Sequence, residues 1–289
     1  MSTQIRTVVV LGSGTMGSQI AAVAALAGYT TALVDIKQEQ LDRAREQLTA
    51  RLDRDVEKGR RQRADVDAAW ERLTLTTDRD AVAAEADLVI EAAVEDLTIK
   101  RTIFAELDEV CPEHTLLVTN SSNIVSSRVA DATGRPDRVC NLHFFNPALV
   151  MQCVEIVPHE GTDPQTVERM VAFVESLGKT PVRLQREIPG FVANRLLNAL
   201  RREAVELYEA GVADFKDIDL AARTALGHPM GPFELMDLVG IDVVYLIRLA
   251  EHEQTGDADA LPSRSITEKY EAGEYGRKTG RGWYEYPRP

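Results

Sequence analysis

The chain has 289 residues, of which 44% are hydrophobic and 27% are charged, and its formal net charge is -13 at pH 7. This composition is that of an ordinary soluble globular protein and excludes a disordered or fibrous chain. The length favours two domains over one, and the strong negative charge argues against a general nucleic-acid binder.

No stretch of the sequence has the character of a membrane segment. The first residues lack an apolar core followed by a small-residue cleavage site, and no apolar run approaches the ~18–20 residues that span a bilayer. Three cysteines, Cys111, Cys140 and Cys153, lie in or beside apolar segments. Buried free thiols in a reducing compartment explain this odd number better than disulfides do. We therefore expect a cytoplasmic protein without a membrane segment.

Predicted strands and helices alternate in the first two thirds of the chain. The β-branched run over 6–11 predicts a buried strand, and the glycine-rich, then alanine-rich stretch after it predicts a turn and a helix ending at Gly28. TTALVD predicts a second strand, followed by a long charged helical region from about Gln38 to Arg63 and more helical character in DVDAAWERL. Further strands are predicted over 86–93, 114–120, 137–145 and 152–158, with helical patterns such as IKRTIFAELDEV between several of them. This alternation predicts an α/β fold with a Rossmann-like, mostly parallel sheet.

The pattern changes near a Pro-Gly pair at Pro189. Beyond it almost no strand signal is present, and helical patterns are interrupted only by GHPMGP and TGDADALP. We therefore predict an α/β domain over residues 1–187 and an all-helical domain over residues 188–289.

A glycine-rich turn, GSGTMG, follows the first predicted strand and opens the first predicted helix. Gly12, Gly14 and Gly17 have the G-x-G-x-x-G spacing of dinucleotide-binding domains. The first glycine permits the tight turn, the second lets the backbone approach a pyrophosphate, and the third lets helix and strand pack closely. The free N–H groups of the helix N-terminus then face the phosphates, and Thr15 and Met16 of the same turn belong to this predicted cofactor site.

The second predicted strand closes on Asp35, which is placed to accept hydrogen bonds from a ribose diol. Its negative charge would repel a 2′-phosphate, so the sequence favours NAD over NADP. Lys37 is close enough to keep that preference moderate.

Two ionisable residues lie inside predicted apolar strands. His143 lies in DRVCNLHFF, and Glu155 lies in QCVEIV twelve residues later. If the two runs are neighbouring strands, the carboxylate could fix the tautomer of the imidazole and stabilise its protonated form, which would make His143 an acid–base catalyst. The alternative is a hydrogen-bonded core histidine without a catalytic role.

A basic stretch, RLDRDVEKGRRQR over residues 51–63, contrasts with the acidic chain. From composition alone, it is typical of a solvated helix end.

These motifs resemble those of the L-3-hydroxyacyl-CoA dehydrogenases, in the single-function bacterial 3-hydroxybutyryl-CoA form. The resemblance covers nearly the whole chain, through GSGTMGSQIA, DLVIEAAVEDLTIK, TNSSNI, LHFFNPALVMQCVEIV, PGFVANRLLNAL, GHPMGPFELMDLVGID and GRKTGRGWYEY. HFFNP and PMGPFEL are much more specific than the glycine turn. The resemblance implies reversible oxidation of a 3-hydroxyacyl-CoA to a 3-ketoacyl-CoA with NAD.

The resemblance also implies roles for particular residues of the active site. His143 corresponds to the acid–base catalyst of the family and Glu155 to its partner. Ser122 corresponds to a residue that contacts the substrate carbonyl region, and Asn194 to one that completes the site from the helical domain.

Cofactor and coenzyme contacts follow from the same resemblance. For NAD they are Glu95 and Lys100 on the side of the nicotinamide ribose, Asn146 at the nicotinamide end, and Lys278 late in the chain. For the CoA phosphates they are Lys58 and, where a family enzyme can have serine, Arg51. The basic stretch would then be a substrate handle rather than a solvated helix end, and no metal ligand is implied.

Two other functions stay open from the residues. A relative could use the same His–Glu pair on a sugar acid or another free hydroxy acid, although GHPMGPFEL and the basic stretch favour a CoA ester. A non-enzymatic nucleotide-binding protein would have no reason to keep Ser122, His143, Glu155 and Asn194 together. The apolar run FELMDLVGIDVVYLI exceeds what a small domain needs to cover itself and favours a homodimer through the helical domain, with a buried core helix as the alternative.

Overall fold

The computed structural model describes residues 4–287, apart from the side chains at positions 251, 254, 255 and 259. The chain forms two compact units and passes from the first to the second between Phe191 and Val192. No helix of the described residues combines the length and apolarity that crossing a bilayer would require.

The first unit contains eight strands and seven α-helices among its described residues. The strands are Thr7–Leu11 (β1), Thr30–Val34 (β2), Leu73–Thr76 (β3), Leu88–Glu91 (β4), Leu116–Thr119 (β5), Val139–Phe144 (β6), Cys153–Pro158 (β7) and Thr180–Arg183 (β8). The helices are Thr15–Leu26 (α1), Gln38–Glu57 (α2), Arg63–Arg72 (α3), Arg79–Ala83 (α4), Leu97–Val110 (α5), Ser127–Ala130 (α6) and Pro164–Ser176 (α7), with a 3-10 turn at Pro136–Arg138.

The eight strands form one sheet in the order β3-β2-β1-β4-β5-β6-β7-β8. Neighbours from β3 to β6 are parallel, β7 runs antiparallel to β6, and β8 is parallel to β7. Both faces are covered: in β1, Val8 and Val10 belong to one apolar cluster, and Val9 and Leu11 to another. Strands buried on both faces read as continuous apolar runs, and the prediction of a mostly parallel α/β sheet is confirmed.

Two strands, β3 and β8, were not predicted, and they are the two edges of the sheet. Their side chains are only partly buried, so their sequences LTLT and TPVR carry no continuous apolar run. Pro181 in β8 is a residue that sheets accept mainly at edges. The predicted helical region from Gln38 to Arg63 also divides, because the chain leaves α2 through Gly59, whose φ is +65°.

The second unit is helical, as predicted. Its α-helices are Ala193–Glu209 (α8), Phe215–Ala225 (α9), Pro232–Val239 (α10), Ile241–Thr255 (α11) and Arg264–Glu271 (α12), with 3-10 turns at Ala258–Ala260 and Arg277–Thr279.

Two buried carboxylates organise the core of this helical unit. Asp219 accepts hydrogen bonds from the backbone N–H groups of Phe233 (2.8 Å) and Glu234 (3.0 Å), at the start of α10. Asp237 accepts one from the backbone N–H of Trp283 at 2.9 Å and so fixes the C-terminal segment to α10. Charged acceptors make the stronger backbone hydrogen bonds, which explains why these acids are tolerated inside the core.

Candidate active site

His143 and Glu155 lie directly opposite each other on β6 and β7. The two apolar runs are thus neighbouring strands, and the histidine Nδ1 lies 2.9 Å from Oε2 of the glutamate. Both side chains are buried. Since an ionised carboxylate only accepts hydrogen bonds, a neutral imidazole in this position would donate through Nδ1 and keep the lone pair of Nε2. The pair therefore has the arrangement of an oriented general base.

Two aromatic rings hold the imidazole in place. The centroid of the His143 ring lies 4.5 Å from that of Phe145 and 5.3 Å from that of Phe191, both in edge arrangements. Phe191 is fully buried, although its φ is +49°, in the left-handed region that non-glycine residues rarely adopt. Sequence reasoning missed Phe191, which lies only three residues before Asn194 in the motif PGFVAN.

The loop that carries Ser122 follows β5 and is fastened to β6 by one buried side chain. Oδ1 of Asn141 accepts from the backbone N–H of Ser126 at 2.7 Å, and Nδ2 donates to the carbonyls of Ser121 (3.2 Å) and Ile124 (3.0 Å). β5 and β6 are parallel neighbours, so Ser122 and His143 both lie towards the carboxyl ends of adjacent strands. Sequence reasoning missed Asn141, whose signal was a single amide within the apolar run VCNLHFF.

A buried charge network lies at the end of β4. Nζ of Lys100 is 2.6 Å and 2.8 Å from the two carboxylate oxygens of Glu91 and 3.4 Å from Oε2 of Glu95. Glu91 also accepts from the hydroxyl of Thr119 at 2.6 Å, and Glu95 accepts from the hydroxyl of Ser121. Lys100 has three hydrogens and three oxygen neighbours, so it acts here by orienting the half-exposed Glu95.

The glycine turn has the geometry that a phosphate site requires. A Cβ on Gly12 would lie 2.5 Å from the carbonyl oxygen of Ala92, and one on Gly17 would lie 1.9 Å from the carbonyl oxygen of Gly12. A Cβ on Gly14 would meet no protein atom within 4 Å. Close contact with the protein's own backbone therefore requires glycine at the first and third positions. The second glycine instead leaves open space at the N-terminus of α1, where no side chain caps the helix.

Asp35 lies at the end of β2 and is bound to the glycine turn. Its Oδ2 accepts from the backbone N–H (2.9 Å) and the hydroxyl (2.7 Å) of Ser13, and its Oδ1 accepts from the backbone N–H of Lys37 at 3.1 Å. Ile36 between them is 90% exposed. A fixed carboxylate beside an exposed apolar side chain suits the ribose and the base of an adenosine.

The two predicted CoA contacts differ in their surroundings. Arg51 is half-buried on α2, and its Nε lies 3.4 Å from Oδ2 of the buried Asp55. The other carboxylate oxygen of Asp55, Oδ1, lies 3.3 Å from Nη1 of Arg60. Lys58 is exposed at the end of α2, beside Gly59. Part of the basic charge of the stretch is thus neutralised locally, and Lys58 is the more accessible cation.

The remaining predicted residues lie at ends of elements. Thr15 and Met16 begin α1, and Asn146 is exposed just after β6. Asn194 is half-buried in the first turn of α8, and Lys278 lies in the helical unit with its Nζ 2.6 Å from Oδ2 of Asp242. The first unit therefore holds His143, Glu155 and Ser122, and the second unit holds Asn194 and Lys278.

Two family models match the chain in succession. The model described as 3-hydroxyacyl-CoA dehydrogenase, NAD binding domain, matches residues 7–188. The model described as 3-hydroxyacyl-CoA dehydrogenase, C-terminal domain, matches residues 190–286.

Individual relatives are similar over almost the whole chain. A probable 3-hydroxybutyryl-CoA dehydrogenase of Bacillus subtilis is 36% identical over 283 residues, which are 98% of either chain. A 3-hydroxyadipyl-CoA dehydrogenase of Escherichia coli is 42% identical over 99% of this chain, which spans 60% of that longer protein. Among solved structures, FadB2 of M. tuberculosis has a TM-score of 0.89 at 39% identity and covers 99% of this chain and 100% of its own.

Proposed function

The chain belongs to the 3-hydroxyacyl-CoA dehydrogenase family and is an NAD-dependent enzyme of that class, and we propose that it interconverts (S)-3-hydroxybutyryl-CoA and acetoacetyl-CoA by means of a His143–Glu155 acid–base pair. The observation that carries the proposal is the cross-strand pair itself, with 2.9 Å between Nδ1 and Oε2 in a buried setting. A relative from Bacillus subtilis that is named for the four-carbon substrate supports the chain length.

The pair acts through the second ring nitrogen of His143. In the oxidative direction Nε2 accepts the proton of the substrate hydroxyl, and in the reductive direction it returns that proton to the carbonyl oxygen. Glu155 holds the ring in the tautomer that leaves Nε2 able to accept a proton, and it stabilises the imidazolium that results. The apolar rings of Phe145 and Phe191 fix the imidazole plane and keep bulk water from it.

The cofactor site in this proposal is the open space at Gly14 together with Asp35. Gly14 and the uncapped N-terminus of α1 would hold the pyrophosphate, and Asp35 would accept from the ribose diol while it remains bound to Ser13. Glu95, oriented by Lys100, and Asn146 would contact the nicotinamide side. NAD supplies the hydride acceptor when it is bound.

The substrate oxygen needs hydrogen-bond donors that are already in place. Ser122 would donate from the loop that Asn141 fastens, and Asn194 would donate from the first turn of α8. Donors whose position is set before the reaction lose little energy to reorganisation. Lys58 and, after exchange of its partner Asp55, Arg51 would contact the CoA phosphates.

Dimerisation and location also remain proposals. Leu238, Val239, Val243 and Leu246 on α10 and α11 are exposed in the single chain, which supports burial of this face against a second copy. The cysteines are free, two of them buried, which supports a reducing compartment such as the cytoplasm. A free hydroxy acid as substrate is not favoured, because the relatives from Bacillus subtilis and Escherichia coli are named for CoA esters.

The deciding experiment follows NADH absorbance on addition of acetoacetyl-CoA, with acetoacetate and NADPH as controls. We expect rapid oxidation of NADH with the thioester alone. In the same assay His143→Gln should lose most of the turnover and still bind NADH, as measured by its fluorescence. Near-normal turnover by His143→Gln would remove the histidine from the mechanism, and turnover of free acetoacetate alone would remove the CoA ester.

A further inference from the structure

The carboxylate of Glu95 holds the chain on both sides of Ser122. Its Oε1 accepts hydrogen bonds from the hydroxyl of Ser121 and from the backbone N–H of Asn123, the second at 3.3 Å. Ser122 lies between these two attachment points and is half-buried. One carboxylate thus positions the residues immediately before and after the serine that is proposed to contact the substrate carbonyl.

The hydroxyl of Ser121 makes the main link between this loop and Glu95. It donates to the carboxylate and accepts from the backbone N–H of Ile124 at 2.8 Å. The second attachment is weaker, because the N–H of Asn123 is shared and lies 3.3 Å from both the carboxylate and the Ser121 oxygen. Only 6% of Ser121 is exposed, so water competes little for these bonds. An alanine side chain at this position could neither donate nor accept.

The second oxygen of Glu95, Oε2, keeps capacity for a further donor. It lies 3.4 Å from Nζ of Lys100, and that ammonium lies closer to the two oxygens of Glu91, at 2.6 and 2.8 Å. The side chain of Glu95 is 40% exposed, so a ligand can reach it. Since each carboxylate oxygen has two lone pairs, Oε2 can bind a new donor while Oε1 keeps its bonds to the loop.

The base of the same loop is fixed independently of any ligand. The hydroxyl of Thr119 donates to Glu91 at 2.6 Å and accepts from the backbone N–H of Ser121 at 3.1 Å. Thr119, Glu91 and Lys100 are each fully buried, so a ligand does not contact them. The part of the network that can respond to a ligand is therefore Glu95, together with the loop residues that its carboxylate holds.

A ribose hydroxyl is a donor that fits Oε2. In the proposed function Glu95 contacts the nicotinamide side of the cofactor, and a hydroxyl bound to Oε2 would restrict a side chain that one long contact holds at this oxygen. Because Oε1 of the same carboxylate binds Ser121, this restriction extends to the loop of Ser122. A first ligand that orders a segment lowers the entropic cost of binding a second ligand to it.

We propose that Ser121 is a positioning residue that couples the two ligands of the enzyme. Cofactor bound at Glu95 tightens the binding of the acyl-CoA at Ser122 through the Ser121 hydroxyl, and the acyl-CoA tightens the binding of the cofactor by the same factor. The inference rests on the proposed function, which assigns Glu95 to the cofactor and Ser122 to the substrate. The sign follows from the geometry: the cofactor uses Oε2 and the loop uses Oε1, so the two do not compete for one oxygen.

The first test measures the binding of acetoacetyl-CoA by titration calorimetry, without NAD and with saturating NAD. Both ligands are oxidised, so no hydride is transferred during the titration. We expect NAD to tighten the binding of acetoacetyl-CoA to the wild-type protein about tenfold, a typical size for coupling between two sites. In Ser121→Ala this factor should fall to about twofold or less. A factor in Ser121→Ala equal to that of the wild type would overturn the proposal, and so would weaker binding of acetoacetyl-CoA to the wild type in the presence of NAD.

Two further variants separate positioning from a general disturbance of the loop. Ser121→Thr keeps the hydroxyl and should keep the effect of NAD. Ser127→Ala removes an exposed hydroxyl at the start of α6 that makes no hydrogen bond among the described residues, and it should behave like the wild type. If Ser121→Ala weakens the binding of acetoacetyl-CoA by the same factor with and without NAD, the serine has only a structural role and the proposal fails.

A double-mutant cycle tests whether the coupling passes through the bond between Ser121 and Glu95. Glu95→Ala should also remove the effect of NAD on the binding of acetoacetyl-CoA, measured at NAD concentrations that saturate this variant. Adding Ser121→Ala to Glu95→Ala should then change that effect no further, because both variants break one link, and a further change would overturn the proposal. If the wild-type protein binds no NAD and does not oxidise NADH with acetoacetyl-CoA, the proposed function itself fails. If it does both and the coupling is independent of Ser121, only this inference fails.

Discussion

Replacing Asn141 with leucine tests whether the Ser122 loop is held in place by β6. The amide makes three buried hydrogen bonds, to the backbone of Ser121, Ile124 and Ser126, and leucine has nearly the same volume but makes none. At about 1–1.5 kcal/mol for each of the three lost hydrogen bonds, Asn141→Leu should lower the free energy of unfolding by about 3–4.5 kcal/mol. At ~2–4 °C per kcal/mol for a domain of this size, the melting temperature should fall by roughly 10 °C.

The same change should also impair catalysis, because Ser122 lies on the loosened loop. A displacement of about 1 Å in a catalytic contact can cost about 10²-fold in rate, so kcat/KM for acetoacetyl-CoA should fall by that order at a temperature where the variant is folded. Urea unfolding followed by circular dichroism and the NADH assay measure the two effects separately. Asn123→Ala is the matched control, since this exposed residue of the same loop should change stability by less than about 0.5 kcal/mol. A destabilised Asn141→Leu with unchanged kcat/KM would refute the link between this amide and Ser122.

Three further predictions follow from the geometry and the pKa shifts. Glu155→Gln should keep the fold by circular dichroism but lower kcat roughly 10²–10⁴-fold, because the imidazolium of His143 loses its counter-charge; a kcat near that of the wild type would contradict this. Burial raises the pKa of Asp87, but hydrogen bonds from the N-terminal backbone and a histidine outweigh burial and hold that pKa below its usual 3.8. The ionised carboxylate therefore stabilises the fold above about pH 4, and this stabilisation is lost as the pH falls through the lowered pKa. The urea midpoints of the wild type and Asp87→Asn should therefore differ at pH 7 and converge as the pH is lowered below about 4, and a constant difference would count against the assignment. Burial raises the pKa of Cys111 to about 11 and that of Cys140 to about 12. Mass spectrometry after iodoacetamide treatment at pH 8 should therefore find both thiols unmodified in the native protein and alkylated in urea. Labelling of either thiol in the native protein would contradict their burial.

The central strands of the sheet could be predicted because each is buried on both faces and reads as an apolar run. The edge strands β3 and β8 could not, since their side chains face solvent on one side and their sequences carry polar residues and a proline. Glycine spacing and the acid that ends β2 indicated the dinucleotide site in advance. The family model then confirmed NAD as the cofactor.

The candidate site was only partly visible in the sequence, because polar residues that support it look like isolated exceptions in apolar runs. Glu91 was not singled out, although it binds Lys100 and thereby orients Glu95. Asn141 carries no chemistry of its own, and its three partners are backbone groups on another segment.

The pairing of β6 with β7 makes the proposed acid–base pair depend on strand register. Successive side chains of a strand point to opposite faces, so a slip of one residue would present Val154 or Ile156 to His143 and turn Glu155 to the other side of the sheet. In the observed register Val154 and Ile156 belong to the apolar cluster on the other face of the sheet, so the slip would also turn the carboxylate of Glu155 into that cluster, where an unpaired charge is costly. Spectroscopic measures of helix and strand content would barely distinguish the two forms. Because the proposed acid–base pair forms only when His143 lies opposite Glu155, turnover measures the fraction of molecules in which β6 and β7 are correctly aligned.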